Sequence, residues 1–229
     1  MKTTIKTLMA TATALCSLHA FNATAAVVPT TPDVKLFCAG SELALGAPAA
    51  GTEWVVRFST EQTTTPGTTF ALTDGTTVPT TDFTTGYYYI STVGDASNPQ
   101  ICESEPLEVP VYVFEELTVT FNAEDYCFED AGNQEFTADV QTADAYQSYA
   151  YQWYTVVGGV ETAIAGATSA TYTPDAEIAP NTETTYRLKA GYLVNSLAYC
   201  SQTDEDTITV LEKPGKPVIT ISGVTGETL

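Results

Sequence analysis

The stretch Tyr151-Gln152-Trp153-Tyr154 is an aromatic strand pattern, and its tryptophan is followed 47 residues later by Cys200. The same frame occurs earlier in the chain, where Trp54 is followed 48 residues later by Cys102. A tryptophan and a cysteine at nearly the same separation, twice in one chain, indicate a duplicated module. This frame describes what the chain is built from and leaves its ligand open.

Each copy of the frame contains two further markers. Tyr88 and Tyr186 each lie 14 residues before the second cysteine of their copy, and an upstream cysteine precedes each tryptophan. A structural zinc site would need closer cysteine spacing or histidines, and a catalytic thiol would need a histidine base. We therefore predict one structural disulfide in each module, at Cys38–Cys102 and at Cys127–Cys200.

Short runs rich in Thr, Val, Ile, Tyr and Phe alternate with Gly, Pro, Asn and Asp along the chain, as in Leu117-Thr118-Val119-Thr120-Phe121. This pattern predicts an all-β protein with two tandem immunoglobulin-like sandwiches, over residues 27–113 and 114–212. Each bridge is expected near one end of its sandwich, between the start of the second strand and the start of the last. Four aromatic residues are predicted to be core: Trp54, Tyr88, Trp153 and Tyr186.

The N-terminal segment 1–26 has the features of a cleaved secretory signal. Lys2 and Lys6 precede a weakly apolar run, and Ala23-Thr24-Ala25 supplies small residues for cleavage. The apolar run is too short and too rich in Thr to span a bilayer. We therefore expect a secreted or cell-surface protein whose mature chain does not insert into a membrane. Removal of Cys16 with this segment leaves four cysteines, which suits an oxidising compartment.

The mature chain is strongly acidic. Six basic and 28 acidic residues remain after residue 26, which gives a net charge of −22. Such a surface repels phosphate backbones and anionic lipids, and this argues against nucleic-acid binding and membrane adsorption. A hydrophobic content of 44% still provides enough apolar surface for packed cores.

Three segments of the second module carry a family resemblance. Tyr151-Gln152-Trp153-Tyr154 is followed by residues 164–174, which read IAGATSATYTP, and by Thr184-Thr185-Tyr186. Together they resemble the tandem immunoglobulin-like and PKD-like repeats of bacterial secreted surface proteins. The first module resembles that family less closely, because it lacks the GATSATY segment. The resemblance implies a stalk, spacer or adhesive array with an unknown extracellular protein or glycan as partner.

No catalytic constellation occurs in the sequence, and no cofactor is predicted. The mature chain lacks histidine and has no nucleophile elbow or phosphate loop. Two alternatives to a stalk concern binding. Calcium could bind acidic loops at Glu124-Asp125, Glu129-Asp130 and Asp204-Glu205-Asp206. A sugar could stack on outward members of an aromatic run formed by Tyr146, Tyr149, Tyr151, Trp153 and Tyr154.

The C-terminal segment 213–229 begins with a Pro/Gly hinge, Lys213-Pro214-Gly215-Lys216-Pro217. The alternation in residues 218–222 resembles a first strand, and it predicts the beginning of a further module in a longer repeat array. A genuine short tail is the alternative. A third hypothesis follows from this segment, in which the chain is a fimbria-like subunit that lends its C-terminal strand to a neighbour.

Overall fold

The computed structural model describes residues 26–174 and 178–220, and over these residues the protein is all-β. It forms two immunoglobulin-like sandwiches in tandem. The strands of the first half are β1 (Lys35–Cys38), β2 (Leu43–Ala44), β3 (Thr52–Ser59), β4 (Thr68–Thr69), β5 (Thr77–Val78), β6 (Gly86–Gly94) and β7 (Leu107–Phe114). No helix in the described part of the chain is long and apolar enough to cross a membrane.

The second half is built from longer strands. They are β8 (Leu117–Phe121), β9 (Tyr126–Cys127), β10 (Phe136–Thr142), β11 (Tyr149–Val157), β12 (Val160–Ala163), β13 (Thr171–Tyr172), β14 (Thr182–Val194) and β15 (Leu197–Leu211). A 3₁₀ helix at Phe128–Asn133 separates β9 from β10. The turn Asn195-Ser196, with both residues at positive φ, connects β14 directly to β15. The sequence pattern predicts a loop over residues 191–196, whereas β14 continues to Val194.

The two halves repeat one arrangement of strands. In the first, the main sheet has the order β1-β7-β6-β3-β4, and β2 and β5 form a small second sheet. In the second, the main sheet has the order β12-β11-β14-β15-β9, and the facing sheet has the order β13-β10-β8. In each main sheet a short strand runs parallel to the last strand, and its final cysteine lies opposite the last residue of that strand. These register pairs are Cys38 with Phe114 and Cys127 with Leu211.

The disulfide differs from the two that the sequence predicts. Cys38 is bonded to Cys200, with 5.5 Å between their Cα atoms, while Cys102 and Cys127 form no bridge. The matched frames suggested pairing within a module, and the strand register explains why that is wrong. Cys127 lies beside Leu211, eleven residues along β15 from Cys200, or about 36 Å in an extended strand. A disulfide requires Cα atoms within about 7 Å.

The two cysteines of the first sandwich are separated in the same way. Cys38 lies beside Phe114 at the end of β7, whereas Cys102 precedes the start of that strand. The eight residues of β7 alone separate the two cysteines by about 25 Å. The two cysteines of each module therefore lie at opposite ends of their sandwich, and a bridge within the module is not possible.

The core of the second sandwich surrounds Trp153, which is fully buried. Phe121 packs against it edge-on at 5.0 Å, and Tyr172 stacks on it at 5.7 Å between ring centroids. Its indole N–H donates to the carbonyl of Ser169 at 3.0 Å. The segment that carries the family resemblance, residues 164–172, therefore lies over the tryptophan and covers it. Tyr186 is fully buried in the same core.

The first sandwich has a smaller core, and Trp54 is not part of it. Its main buried cluster consists of Val56, Val78, Phe83, Tyr88 and Val111. Trp54 is half-buried, and its indole N–H donates to the carbonyl of Gly46 at 2.7 Å. The facing sheet explains this departure from the prediction, because β2 and β5 contain only two residues each and leave Trp54 partly uncovered.

Tyr88 anchors the first core through its hydroxyl group. The hydroxyl donates to the carbonyl of Thr84 at 2.8 Å and accepts the N–H of the same residue at 3.0 Å. A tyrosine bonded to the backbone a few residues upstream is the tyrosine corner of immunoglobulin-like folds. Burial raises the pKa of Tyr88 to about 12.

The C-terminal segment is irregular where the structure describes it. Residues 212–220 contain no strand, and the side chains of Val218 and Ile219 are 96% and 75% exposed. Residues 221 and 222, the end of the predicted first strand, lie outside the described residues, as do residues 1–25 of the predicted signal.

Candidate functional site

The junction between the two sandwiches combines a disulfide, a buried carboxylate and packed aromatic rings. Its covalent element is the Cys38–Cys200 bridge, which links β1 of the first sandwich to β15 of the second across 162 residues of sequence. Cys200 has a φ of 51° and lies where the β14–β15 register shifts between Ala190 and Tyr192. A β-bulge changes the direction of a side chain, and this bulge includes Cys200, the cysteine that is bonded to the first sandwich.

Position 191, opposite this bulge, has room only for glycine. A Cβ atom there would lie 2.7 Å from the carbonyl oxygen of Tyr199 and 2.4 Å from the hydroxyl oxygen of Ser201. The sequence Ala190-Gly191-Tyr192 therefore permits the local geometry that positions Cys200.

Phe114 is the apolar element of the junction. It is the last residue of β7, yet it is fully buried in the core of the second sandwich. Its ring stacks on Tyr192 with 4.3 Å between centroids, and it also contacts Tyr146 and Tyr199. Only Glu115 and Glu116 separate it from β8. The end of the first sandwich is thus inserted into the second.

Asp144 is the polar element of the junction, and only 5% of its surface is exposed. One carboxylate oxygen accepts the hydroxyl of Tyr112 at 2.5 Å and the N–H of Tyr146 at 2.8 Å. The other accepts the N–H of Glu115 at 3.0 Å. Buried carboxylates are stable only when hydrogen-bonded, and Asp144 meets this need with groups from β7, the linker and its own loop. Burial, together with this carboxylate, raises the pKa of Tyr112.

Tyr192 completes the polar contacts of the linker. Its hydroxyl donates to the carbonyl of Glu115 at 3.1 Å and lies 2.6 Å from the hydroxyl of Thr142. Thr142 in turn accepts the N–H of Asp144 at 3.1 Å. Both the N–H and the carbonyl of Glu115 are therefore bonded to the second sandwich, which fixes the linker backbone.

Five of the seven acidic residues considered for calcium have structural partners. Asp204 accepts the N–H of Phe121 at 3.0 Å, Asp206 accepts that of Ala123 at 2.9 Å, and Asp125 accepts that of Thr209 at 2.7 Å. Glu205 pairs with Arg187, and Glu129 pairs with Lys213. In residues 26–174 and 178–220, no group of three His, Cys, Asp or Glu side chains is arranged to hold a metal ion.

The aromatic run is divided between the interior and the surface. Trp153 is buried, while Tyr146, Tyr149, Tyr151 and Tyr154 are half-buried. A shallow groove of about 250 Å³ on the main sheet of the second sandwich is lined by Ala150, Tyr151, Gln152, Tyr154, Lys189 and Ser201, among others. A groove of about 450 Å³ also follows the junction beside the disulfide, and Glu115 and Glu116 contribute to its lining.

Both cysteines of this junction are conspicuous in the sequence, but the pairing predicted for them differs. The sequence does not identify Phe114, Tyr112, Asp144 or Tyr192 as residues of the junction. The predicted module boundary places Phe114 at the start of the second module, residues 114–212. The alternation of Tyr112 and Phe114 at the end of a strand was the available signal, whereas Asp144 resembles the other acidic residues of the chain.

No family model matches the sequence, and no curated protein matches it. Among solved structures, the chain is similar to the fibronectin(III)-like modules of Clostridium thermocellum CbhA, with 17% identity and a TM-score of 0.35 over 80% of this chain and 93% of that one. It is also similar to the amphioxus IgVJ-C2 molecule, with 15% identity and a TM-score of 0.31 over 77% of this chain and 100% of that one. Because both TM-scores are low, the immunoglobulin-like assignment rests on the strand pairings described above.

Proposed function

We propose that this protein is a non-enzymatic, exported spacer of the adhesin-stalk type, in which the two sandwiches hold a fixed orientation. The observation that carries the proposal is the junction. A disulfide, an inserted phenylalanine and a buried carboxylate all connect the same two sandwiches. Domains of one chain move relative to each other unless their interface is large and apolar. The contacts at this junction therefore support a fixed orientation of the two sandwiches.

The composition and the fold agree with this role. The acidic surface keeps an exported chain soluble and separate from nucleic acid and anionic membranes. The resemblance of residues 151–186 to repeats of bacterial surface proteins supports a stalk within a longer array. The partner that such a stalk presents or contacts would be an extracellular protein or a glycan.

The test is a measurement of interdomain motion by NMR relaxation on the mature chain. We expect one rotational correlation time for both sandwiches, because the junction makes them a single rigid body. In the triple variant Cys38→Ser, Cys200→Ser, Asp144→Ala, we expect two separate correlation times. Asp139→Ala is the matched control for the aspartate, because Asp139 lies exposed on β10. Two independent correlation times in the native chain would contradict a rigid spacer.

A second candidate function is glycan binding in the groove of the second sandwich. Tyr151, Tyr154 and Gln152 line it, and the two tyrosines offer aromatic faces to a sugar. The amide nitrogen of Gln152 donates to the carbonyls of Trp153 and Ile164, so this side chain offers a sugar only its carbonyl oxygen. A glycan array probed with the mature chain and with Tyr154→Ala tests this candidate. Binding that requires Tyr154 would support it, and a blank array would leave the spacer role as the only proposal.

A further inference from the structure

Cys127 of the second sandwich occupies the position that Cys38 occupies in the first. Each is the last residue of a short strand that runs parallel to the final strand of its sheet. Cys38 lies opposite Phe114, and Cys127 lies opposite Leu211. Cys38 is bonded to the next sandwich at this point, whereas Cys127 is half-buried and unbridged.

Cys102 of the first sandwich likewise occupies the position of Cys200 in the second. In the second sandwich, Tyr192 is paired with Tyr199, and Cys200 follows. In the first, the N–H of Gly94 donates to the carbonyl of Ile101, and Cys102 follows. Cys200 is bonded to the preceding sandwich, whereas Cys102 is exposed and unbridged.

The apolar neighbours of the two unbridged cysteines also correspond to residues of the junction. Phe114 and Tyr199 stack there at 6.3 Å between centroids. In the strand register, Leu211 beside Cys127 corresponds to Phe114. Ile101, which precedes Cys102, corresponds to Tyr199, which precedes Cys200. The side chains of Leu211 and Ile101 are 41% and 44% exposed, respectively. The end of each sandwich that faces away from the junction thus presents one cysteine and one exposed apolar side chain, which correspond to half of a junction.

The segment of Cys102 is held in a defined position. Glu103 forms a two-bond ion pair with Arg57 on β3, and the hydroxyl of Ser91 on β6 donates to the same carboxylate at 2.5 Å. The N–H of Ser104 donates to the carbonyl of Thr92 at 2.9 Å. Cys102 is therefore presented from a segment fixed to the main sheet, and its thiol is accessible to a docking neighbour.

We propose that Cys127 of one copy forms a disulfide with Cys102 of a second copy, so that the chains join head to tail. The contact repeats between copies the junction that Cys38 and Cys200 form within each copy. It joins two different surfaces, and such a heterologous contact extends into an open filament when its rotation does not close a ring. This inference goes beyond the spacer role, because it identifies what each end of the spacer binds.

The chemistry is thiol–disulfide exchange and needs an oxidant, namely a small-molecule or protein disulfide. The Cys127 thiolate attacks one sulfur of the oxidant and forms a mixed disulfide, which releases one thiol. The Cys102 thiolate of the second copy then attacks the Cys127 sulfur and releases the second thiol. Two protein thiols lose two electrons and two protons, and one oxidant disulfide becomes two thiols.

The experiment uses mature chain incubated with oxidised glutathione and analysed by non-reducing electrophoresis and peptide mapping. We expect a ladder of multimers that collapses on reduction, with a peptide joining Cys102 to Cys127. Cys102→Ser and Cys127→Ser should each remain monomeric, and their mixture should stop at a dimer. The mixed dimer should form at least about tenfold faster than any trace dimer of a single variant, a difference of about 1.4 kcal/mol in activation free energy.

Other outcomes overturn the proposal. These are equal dimerisation of the single variants, glutathione adducts on a wild-type chain that stays monomeric, and a map with bridges 38–102 and 127–200. Cys127→Ala is a second variant at the half-buried position, and the intact Cys38–Cys200 peptide verifies the fold of each variant. Coupling of copies and rigidity of the internal junction are separate measurements, so either can fail without the other.

Discussion

At the scale of single residues, the two tryptophans show how one sequence frame acquires two environments. Trp153 lies between Phe121, Phe136 and Tyr172 and is fully buried, whereas Trp54 is half-buried beside a reduced second sheet. The separation between a tryptophan and the following cysteine predicts the strand on which the tryptophan lies. The size of the facing sheet, which depends on many weak strand signals, decides how far it is buried.

We expect Trp153→Ala to lower the free energy of unfolding by about 3–5 kcal/mol, because it leaves a cavity in a closely packed core. Trp54→Ala is the matched control and should cost clearly less, since that side chain already contacts solvent. Urea unfolding followed by tyrosine fluorescence measures both. Equal costs would contradict the difference in packing described for the two sandwiches.

Tyr88 gives a prediction for alkaline pH. Burial raises its pKa to about 12, above the ordinary value near 10, so the folded state favours the neutral phenol. The stabilisation is fully present below pH of about 10 and is lost as the pH rises through about 12, by roughly 2–3 kcal/mol in total. Urea unfolding between pH 9 and 12 measures this decline. Tyr88→Phe should be less stable at neutral pH and should show a shallower decline, and an unchanged slope would contradict the assignment.

At the scale of elements, the first strand of the second sandwich changes sheets. β8 pairs with β10, β9 pairs with β15, and residues 122–125 cross between them. Backbone groups on such a crossing lack ladder partners and need others. Asp204 and Asp206, half-buried on β15, accept the N–H groups of Phe121 and Ala123. Some acidic side chains of this protein therefore act as hydrogen-bond acceptors for backbone N–H groups.

Asp206→Ala should destabilise the second sandwich by about 1–3 kcal/mol, because the N–H of Ala123 loses its acceptor. Amide exchange at Ala123 should accelerate, and the same holds at Phe121 for Asp204→Ala. Glu205→Ala is the control from the same strand, since it breaks only an exposed ion pair and should cost less than about 1 kcal/mol. Exchange at Ala123 that is no faster in Asp206→Ala than in Glu205→Ala would contradict the structural role.

The elements were largely predictable, and their connections were not. Alternation at Leu117–Phe121 and the spacing from Trp153 to Cys200 indicate tandem immunoglobulin-like sandwiches, as observed. The pairing of cysteines depends on whether a short strand runs parallel to the last one and on which end it occupies. These short strands contain only four and two residues, Lys35–Cys38 and Tyr126–Cys127, so no periodic pattern in the sequence reveals their pairing. The sequence also does not reveal the role of Asp144, because only its hydrogen-bond partners in the fold distinguish it from the exposed acidic residues.

At the scale of the whole molecule, the Cys38–Cys200 bridge determines how the protein responds to tension. A pulling force on the two ends passes from β1 through the disulfide to β15, so that residues 39–199 carry no load. At about 3.5 Å per residue, roughly 550 Å of chain is withheld from extension. Single-molecule stretching should release this length only after reduction, and its release from the oxidised protein would contradict the bridge. The oxidised chain therefore extends little under shear, and the redox state of this disulfide determines the maximum length of the chain.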